Sequence, residues 1–327
     1  MHCLITGGAG FIGSYLAEEL INRGNRVTVI DNLSTGNIHN LSSIIRNPLL
    51  NFLHSDILNM QNLKDLVSES DIVYHLAAAV GVDIVVKDPV YTITTNVKGT
   101  ERVLEAALEN KTKILVASTS EVYGKSNKNF FSEEDDLLIG PPTHSRWSYA
   151  CSKLLDEFYC SAFYKEYKLP VNIVRLFNTV GPRQTGKYGM VLPRFVQAAL
   201  EGKDLNVFGT GKQTRCFCHV RDVVRCVLAL SEKEFNGQVY NIGSNEICSI
   251  EALARRVISI SGSTSGIVYK SYNEAYAPGF EDMLHRAPDI SKIKKLTGWE
   301  PHYSLDNIIA DVVDYYRNKK GRISPAF

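Results

Sequence analysis

Tyr149 and Lys153 stand four residues apart, so on a helix they share one face. A lysine ammonium beside a tyrosine favours the phenolate over the phenol. Tyrosine alone titrates near ~10, so a phenolic base acting at neutral pH needs such help. Thirty residues before Tyr149 lies Thr119, which ends the apolar run Lys113-Ile-Leu-Val-Ala-Ser-Thr119. Its hydroxyl is suited to orient a substrate alcohol while Tyr149 removes that alcohol's proton. Tyr and Lys recur at this spacing on many amphipathic helices, so the pair takes its meaning from its surroundings.

The N-terminus supplies them. His2-Cys-Leu-Ile-Thr6 is a buried-strand run, followed by Gly7-Gly-Ala-Gly10-Phe-Ile-Gly13 and then by helical spacing in Ser14-Tyr-Leu-Ala-Glu-Glu-Leu-Ile21. Gly7 permits a tight turn, Gly10 lets backbone approach a pyrophosphate, and Gly13 allows close helix–strand packing. Phe11 and Ile12 fall where the new helix offers free N–H groups and its positive dipole end to phosphates. A second strand, Arg26-Val-Thr-Val-Ile-Asp31, ends in a carboxylate placed to bond the hydroxyls of an adenosine ribose. The next residues, Asn32-Leu-Ser-Thr-Gly36, hold no Arg or Lys to receive a 2′-phosphate. NAD is therefore expected in preference to NADP, with Asn32 beside it.

Further strands are expected at 50–56, 71–77, 113–119 and 171–177, with helices at 61–68, 96–110 and 148–168 between them. This alternation predicts a doubly wound parallel sheet with its ligand crevice at the carboxyl ends of the strands. Asp56, Ile57, Leu76, Ala77 and Ala78 would line the adenine and ribose side. Asn96, expected to open the 96–110 helix, reads first as a cap and second as a cofactor ligand. Beyond residue 178 the chain turns Gly-rich and gathers cations, at Gly181-Pro-Arg183 and in Phe208-Gly-Thr-Gly-Lys-Gln-Thr-Arg215. Val239-Tyr-Asn-Ile-Gly243 predicts a strand returning to the sheet; 250–260 and 304–318 predict amphipathic helices. The expected organisation is a nucleotide-binding domain over 1–178, with 216–243 returning to it. A smaller substrate-binding lobe then takes 179–215 and 244–327. Arg183, Arg194, Arg215 and Arg286 would suit a diphosphate, because guanidinium forks match phosphate oxygens. Arg215 and Arg286 have the more motif-like settings.

Composition narrows the function classes. Lys plus Arg number 36 against 35 acids, so the net charge is +1. No basic stripe points to nucleic acid, and no run of ~18 apolar residues points to a membrane span. A strand begins at once, with no room for a signal peptide, and a cytoplasmic protein is expected. The seven cysteines form no CxxC pair and the eight histidines show no ligand spacing. Reduced thiols and no metal are expected.

Taken together, Gly7–Gly13, Asp31, His75-Leu-Ala-Ala78, Thr119–Gly124, Tyr149–Lys153, Arg175-Leu-Phe-Asn178, Gly181-Pro-Arg183, Gly209–Arg215, Pro288-Asp-Ile and Gly298-Trp-Glu-Pro301 resemble one family over essentially the whole chain. It is the NAD-dependent nucleotide-sugar epimerase, dehydratase and decarboxylase group of the extended short-chain dehydrogenases. The resemblance implies a Rossmann-type α/β fold with a C-terminal substrate lobe, and a homodimer formed through the two long helices. It places Asn178 and Val207 with the four arginines on a nucleotide-sugar, a UDP-sugar being favoured.

Ser118-Thr-Ser-Glu-Val-Tyr-Gly124, Arg146-Trp-Ser-Tyr149 and His285-Arg-Ala-Pro288 are most similar to UDP-glucuronate decarboxylases. There Ser120, Glu121 and Arg286 would serve the substrate carboxylate and its loss. The 4,6-dehydratases carry Asp where this chain has Ser120, and that Asp expels the 6-hydroxyl, so dehydration is disfavoured. The loop Gln184-Thr-Gly-Lys-Tyr-Gly-Met190 is expected to touch substrate. A 4-epimerase shares the first step, oxidation at C4, and remains the alternative. Retention of Thr119, Tyr149 and Lys153 together argues against a catalytically silent relative.

Overall fold

Runs such as Leu4-Ile5 and Ile114-Leu-Val116 are apolar on both faces, as strands covered on each side of a sheet require. In the computed structural model, described over residues 1–81, 85, 87–144, 146–186, 190–271 and 283–321, they form parallel strands. These are β1 (His2–Thr6), β2 (Arg26–Asp31), β3 (Leu50–His54), β4 (Ile72–His75), β5 (Lys113–Thr119) and β6 (Val171–Leu176). Short strands β7 (Thr179–Val180), β8 (Leu205–Phe208), β9 (Thr214–Cys216) and β10 (Cys218–His219) follow. Then come β11 (Val239–Ile242), β12 (Ile247–Ser249) and β13 (Ile267–Lys270). The main sheet runs β11-β6-β5-β4-β1-β2-β3. Its order reverses beside β1, which makes the crevice past the ends of β1 and β4 the natural ligand site. Thr6 pairs with Ile30 on one side and His75 on the other, so these strand ends are level.

The helices are α1 (Phe11–Asn22), α2 (Leu63–Ser68), α3 (Pro89–Ala107), α4 (Arg146–Tyr167), α5 (Val191–Leu200), α6 (Val220–Ser231), α7 (Ile250–Ser261), α8 (Ser291–Thr297) and α9 (Leu305–Gly321). Leu16 and Leu20 of α1 and Val223 and Val227 of α6 close one face of the sheet. Leu63 of α2, Leu104 of α3 and Cys160 of α4 close the other. A separate core joins Val196 of α5, Leu253 and Val257 of α7, and Ile309 and Val312 of α9.

Two expectations change. The helix predicted from Asn96 begins at Pro89, where Asp88 caps it by accepting the Tyr91 N–H at 3.0 Å. Proline at a first helical position costs no hydrogen bond and fixes φ, so the earlier start is favoured. The described residues after 244 also do not stay together. Ile293 of α8 and Trp299 join the core of α1 and α6, and Trp299 Nε1 donates to the Asp222 carbonyl at 3.0 Å. Burying that indole returns the chain to the sheet before α9 rejoins the second core.

All seven cysteines are unpaired. Among the described residues no helix is long and apolar enough to cross a membrane, and no group of three or more His, Cys, Asp or Glu could hold a metal ion.

Candidate active site

A cleft of about 1520 Å³ runs along the carboxyl ends of the strands and is walled on its other side by α5, β8 and α9. One end is made largely of backbone. Gly7 has φ +73°, and a Cβ there would lie 2.8 Å from the Ala77 nitrogen. A Cβ on Gly13 would lie 2.4 Å from the Gly7 carbonyl oxygen, so only glycine lets α1 start this close to β1. Gly10, the N-cap, brings no side chain to the first turn, leaving the opening N–H groups at Phe11 and Ile12 for the cleft. Asp31 ends β2, its Oδ2 accepting the Ala9 N–H at 2.9 Å and its Oδ1 the Leu33 N–H at 2.8 Å. Burial raises its carboxyl above the ordinary value, against which these backbone donors pull. With Leu33, Ala9 and Gly10 as its backbone donors, the carboxylate keeps acceptor capacity for a ribose hydroxyl, and 32–37 carries no cation. The residues present thus fit a dinucleotide with an unphosphorylated ribose. Asn32, Asp56, Ile57, Leu76, Ala77 and Ala78 also line this end.

The middle of the cleft is built by β5 and α4. The Thr119 hydroxyl caps a single 3-10 turn, Ser120–Tyr123, by accepting the Glu121 N–H at 3.2 Å. That turn presents Ser120 and Glu121 to the cleft. The α4 sequence contains no Gly or Pro, so nothing interrupts the helix. Yet its buried face is charged: Lys153, Asp156 and Glu157. Such residues are almost never buried without partners. Glu157 takes a fork from Arg175, at 3.0 Å from Nε and 2.7 Å from the terminal nitrogen, and accepts the Ser118 hydroxyl at 2.5 Å.

Tyr149 is half-buried, and its hydroxyl bonds to Thr119. Its phenol is raised above the ordinary value, first by burial and then by the charge of Glu121. Lys153 stands on the expected face, but its ammonium bonds Asp156 at 2.6 Å, both side chains being buried. The ammonium expected to relieve Tyr149 is therefore shared with a carboxylate.

The far end is built from side chains. Glu121 lies between two guanidinium groups: Arg146 donates to Oε2 at 3.0 Å and Arg286 to Oε1. Burial opposes its charge, but Arg146, Arg286 and Arg215 overcome this and bring its carboxyl down to about 2. Arg286 also donates to Asn178 Oδ1 at 2.6 Å, and Asn178 donates to the Cys216 carbonyl at 2.8 Å. Arg215, on β9, is buried and donates to the Thr214 carbonyl at 2.8 Å. Arg194 lies over the Phe208 ring.

The cleft gathers the expected residues with two exceptions. Asn96 sits inside α3, fully buried, accepting the Ala79 N–H at 2.8 Å and donating to Ser152 at 2.9 Å. It is neither cap nor cleft residue. Val207 faces the lobe core, and strand alternation puts its neighbours Asn206 and Phe208 on the cleft. Arg183 reaches the cleft but is engaged by Glu18 of α1, both guanidinium contacts being 2.8 Å, in a left-handed backbone conformation of φ 72°. It ties α1 to the chain after β7 and is not set for a diphosphate. In the 184–190 loop, Gln184, Thr185 and Met190 line the cleft; residues 187–189 lie outside the described residues. Arg146 had no expected role of its own, although its place three residues before Tyr149 on one helix was a signal for proximity.

The family model for GDP-mannose 4,6 dehydratase matches residues 4–312. Among curated relatives, the UDP-N-acetyl-alpha-D-glucosaminuronate decarboxylase of Bacillus cytotoxicus is 43% identical over 96% of this chain and 97% of its own. The UDP-glucuronic acid decarboxylase 1 of Xenopus tropicalis is 35% identical over 97% of this chain and 72% of its own. Among solved structures, the UDP-glucuronic acid 4-epimerase of Bacillus cereus, in complex with UDP-glucuronic acid and NAD, superposes with a TM-score of 0.87. It is 34% identical, covering 98% of this chain and 100% of that one.

Proposed function

The chain belongs to the GDP-mannose 4,6-dehydratase family of NAD-dependent nucleotide-sugar enzymes, and from that premise we propose that it decarboxylates a UDP-linked hexuronate. The observation that carries the proposal is Glu121 held between Arg146 and Arg286 beside Tyr149. A neutral hexose offers two converging guanidinium groups only hydroxyl acceptors and no charge. A uronate offers a carboxylate that can take Arg286 from Glu121.

NAD, when bound against the Gly7–Gly13 turn and Asp31, would be the acceptor of the hydride from sugar C4 and its donor back to C4 once carbon dioxide has left, so that the product is a UDP-pentose. Tyr149 takes the proton of the C4 hydroxyl while Thr119 holds the same oxygen. The resulting 4-ketone is β to the C6 carboxylate. The C5–C6 bond then breaks, its electron pair passes towards the C4 oxygen, and C6 leaves as carbon dioxide. Thr119 and Tyr149 hold the enolate oxygen. Glu121, ionised at neutral pH, first takes up a proton from solvent once Arg286 has moved to the substrate, and then passes it to C5. Arg215 and Arg194 face the diphosphate. The higher identity to the acetamido-sugar enzyme favours UDP-N-acetylglucosaminuronate over UDP-glucuronate.

The proposal includes a homodimer through α3 and α4, because Val90, Ile93, Leu155 and Phe158 leave apolar surface exposed on both helices. It also includes a reducing, cytoplasmic setting, in keeping with the unpaired cysteines. The test is incubation of the NAD-loaded protein with each UDP-uronate, reading product mass and, by proton NMR, the configuration at C4. Loss of one carbon dioxide supports the reading. Inversion at C4 with the carboxylate intact would replace it with a 4-epimerase.

A further inference from the structure

The Lys153–Asp156 pair is the most deeply buried ion pair beside the cleft: Lys153 is 2% exposed and Asp156 fully buried. Burying two charges is costly, and a pair at this depth is weak evidence of stability for its own sake. Its surroundings are just as closed. His75, at the end of β4, lies beneath it, with its ring nitrogens bonded to Thr6 at 2.8 Å and Thr100 at 3.2 Å. Burial and the Lys153 charge bring this imidazole down to about 3, so it stays neutral and does not compete for Asp156. Burial raises the Asp156 carboxyl above its ordinary value, opposed first by the Lys153 ammonium and then by the Thr100 hydroxyl of α3; Cys160 on the next turn of α4 is an un-ionised thiol. Glu157 is satisfied by Arg175. Besides Lys153, one turn along the same helix face, the charges acting on Tyr149 are Glu121, Asp156 and Arg286, with the Thr119 hydroxyl bonded to it.

We propose that Asp156 is a positioning residue that tempers the pull of Lys153 on Tyr149, by holding the ammonium one turn further along α4. The carboxylate acts twice in one direction: it engages the lysine, and its own charge disfavours the phenolate. The inference rests on the reading of Tyr149 as the base, and goes beyond it by assigning the strength of that base to a third residue.

Asp156→Asn preserves shape and an acceptor oxygen for the ammonium while removing the charge. A phenol relieved of a nearby negative charge ionises at lower pH. The acid limb of the kcat profile, taken with NAD and substrate saturating, should move down by about one unit. Below the limb, the rate relative to its own plateau should rise up to about tenfold. Asp156→Glu keeps the charge and should keep the limb at its wild-type place. A merely structural role would lower stability without moving the limb. Should the Asn variant not fold, Asp156→Ser, with space for water at the ammonium, carries the same test. A folded neutral variant whose acid limb is unmoved or moved upward overturns the proposal. Tyr149→Phe separates the two levels: if that variant still turns over, the assignment of the base has failed. If it is inactive and the Asp156→Asn limb does not move, only the role of Asp156 has failed.

Discussion

The two ends of the cleft are made of different material. At the cofactor end the recognition surface is main chain: a glycine turn, the open N–H groups of α1, and one carboxylate held by backbone donors. At the substrate end it is side chains from distant segments, Arg146, Arg286 and Asn178, assembled around Glu121. A surface of main chain is specified by where a Cβ is forbidden, and tolerates almost no substitution there. A surface of side chains can exchange partners, and different sugars can be served by altering few residues.

This contrast can be broken from either side. The largest effect is expected from Gly13→Ala. Its Cβ would meet the Gly7 carbonyl oxygen at 2.4 Å and the Gly8 Cα at 2.7 Å. Neither can move aside, so NAD binding should fall below calorimetric detection even at positions where the far end is intact. Next, Tyr149→Phe should fold and bind both ligands but lose about 10²–10⁴-fold in kcat, as removal of a general base does. Retained turnover would show that the junction of the two ends lies elsewhere.

Arg286→Ala should raise the substrate KM by roughly tenfold to a hundredfold, because a charged partner is left without its donor. NAD affinity should be unchanged. A parallel loss of NAD binding would mean that the two ends are not separable. The smallest effect is expected from Glu121→Gln. With Arg146 and Arg286 released from its charge, substrate oxidation, followed by cofactor absorbance, should persist. Carbon dioxide release should slow by about tenfold or more, as loss of a proton carrier implies. Equal slowing of both steps would remove Glu121 from the decarboxylation.

The same contrast governs what the sequence discloses. β1, β2 and β5 begin and end where their apolar runs do, because strands covered on both faces leave no ambiguity of pattern. The cofactor turn is legible because each glycine answers a local clash. α3 is harder: Val90 and Ile93, near its start, face outward, so the buried pattern only becomes regular after Asn96. Reading by motifs passes over α6, although Val220, Val223, Val224 and Val227 have helical spacing. The substrate end resists local reading most. Arg183 is an unremarkable cation in sequence, and its partner Glu18 lies 165 residues away. Lys153 has both Tyr149 and Asp156 within one turn; burial, which sequence does not display, decides which one it meets.

The last strand of the sheet arrives late. About sixty residues separate the end of β6 from the start of β11, and β7 to β10 with α5 and α6 lie between them. The turn that carries Glu121 depends on that arrival. The Tyr123 hydroxyl, from the turn that carries Glu121, donates to Asn241 of β11 at 2.8 Å; Asn241 in turn donates to the Phe131 carbonyl at 2.8 Å. During synthesis the nucleotide-binding strands emerge first, and parallel crossovers close slowly. Until Val239–Ile242 clears the ribosome, β6 is a long apolar edge open to other chains, and the Glu121 turn has no brace. A nascent chain can therefore complete its glycine turn well before it can catalyse, and its vulnerable interval is the time taken to translate residues 177–238.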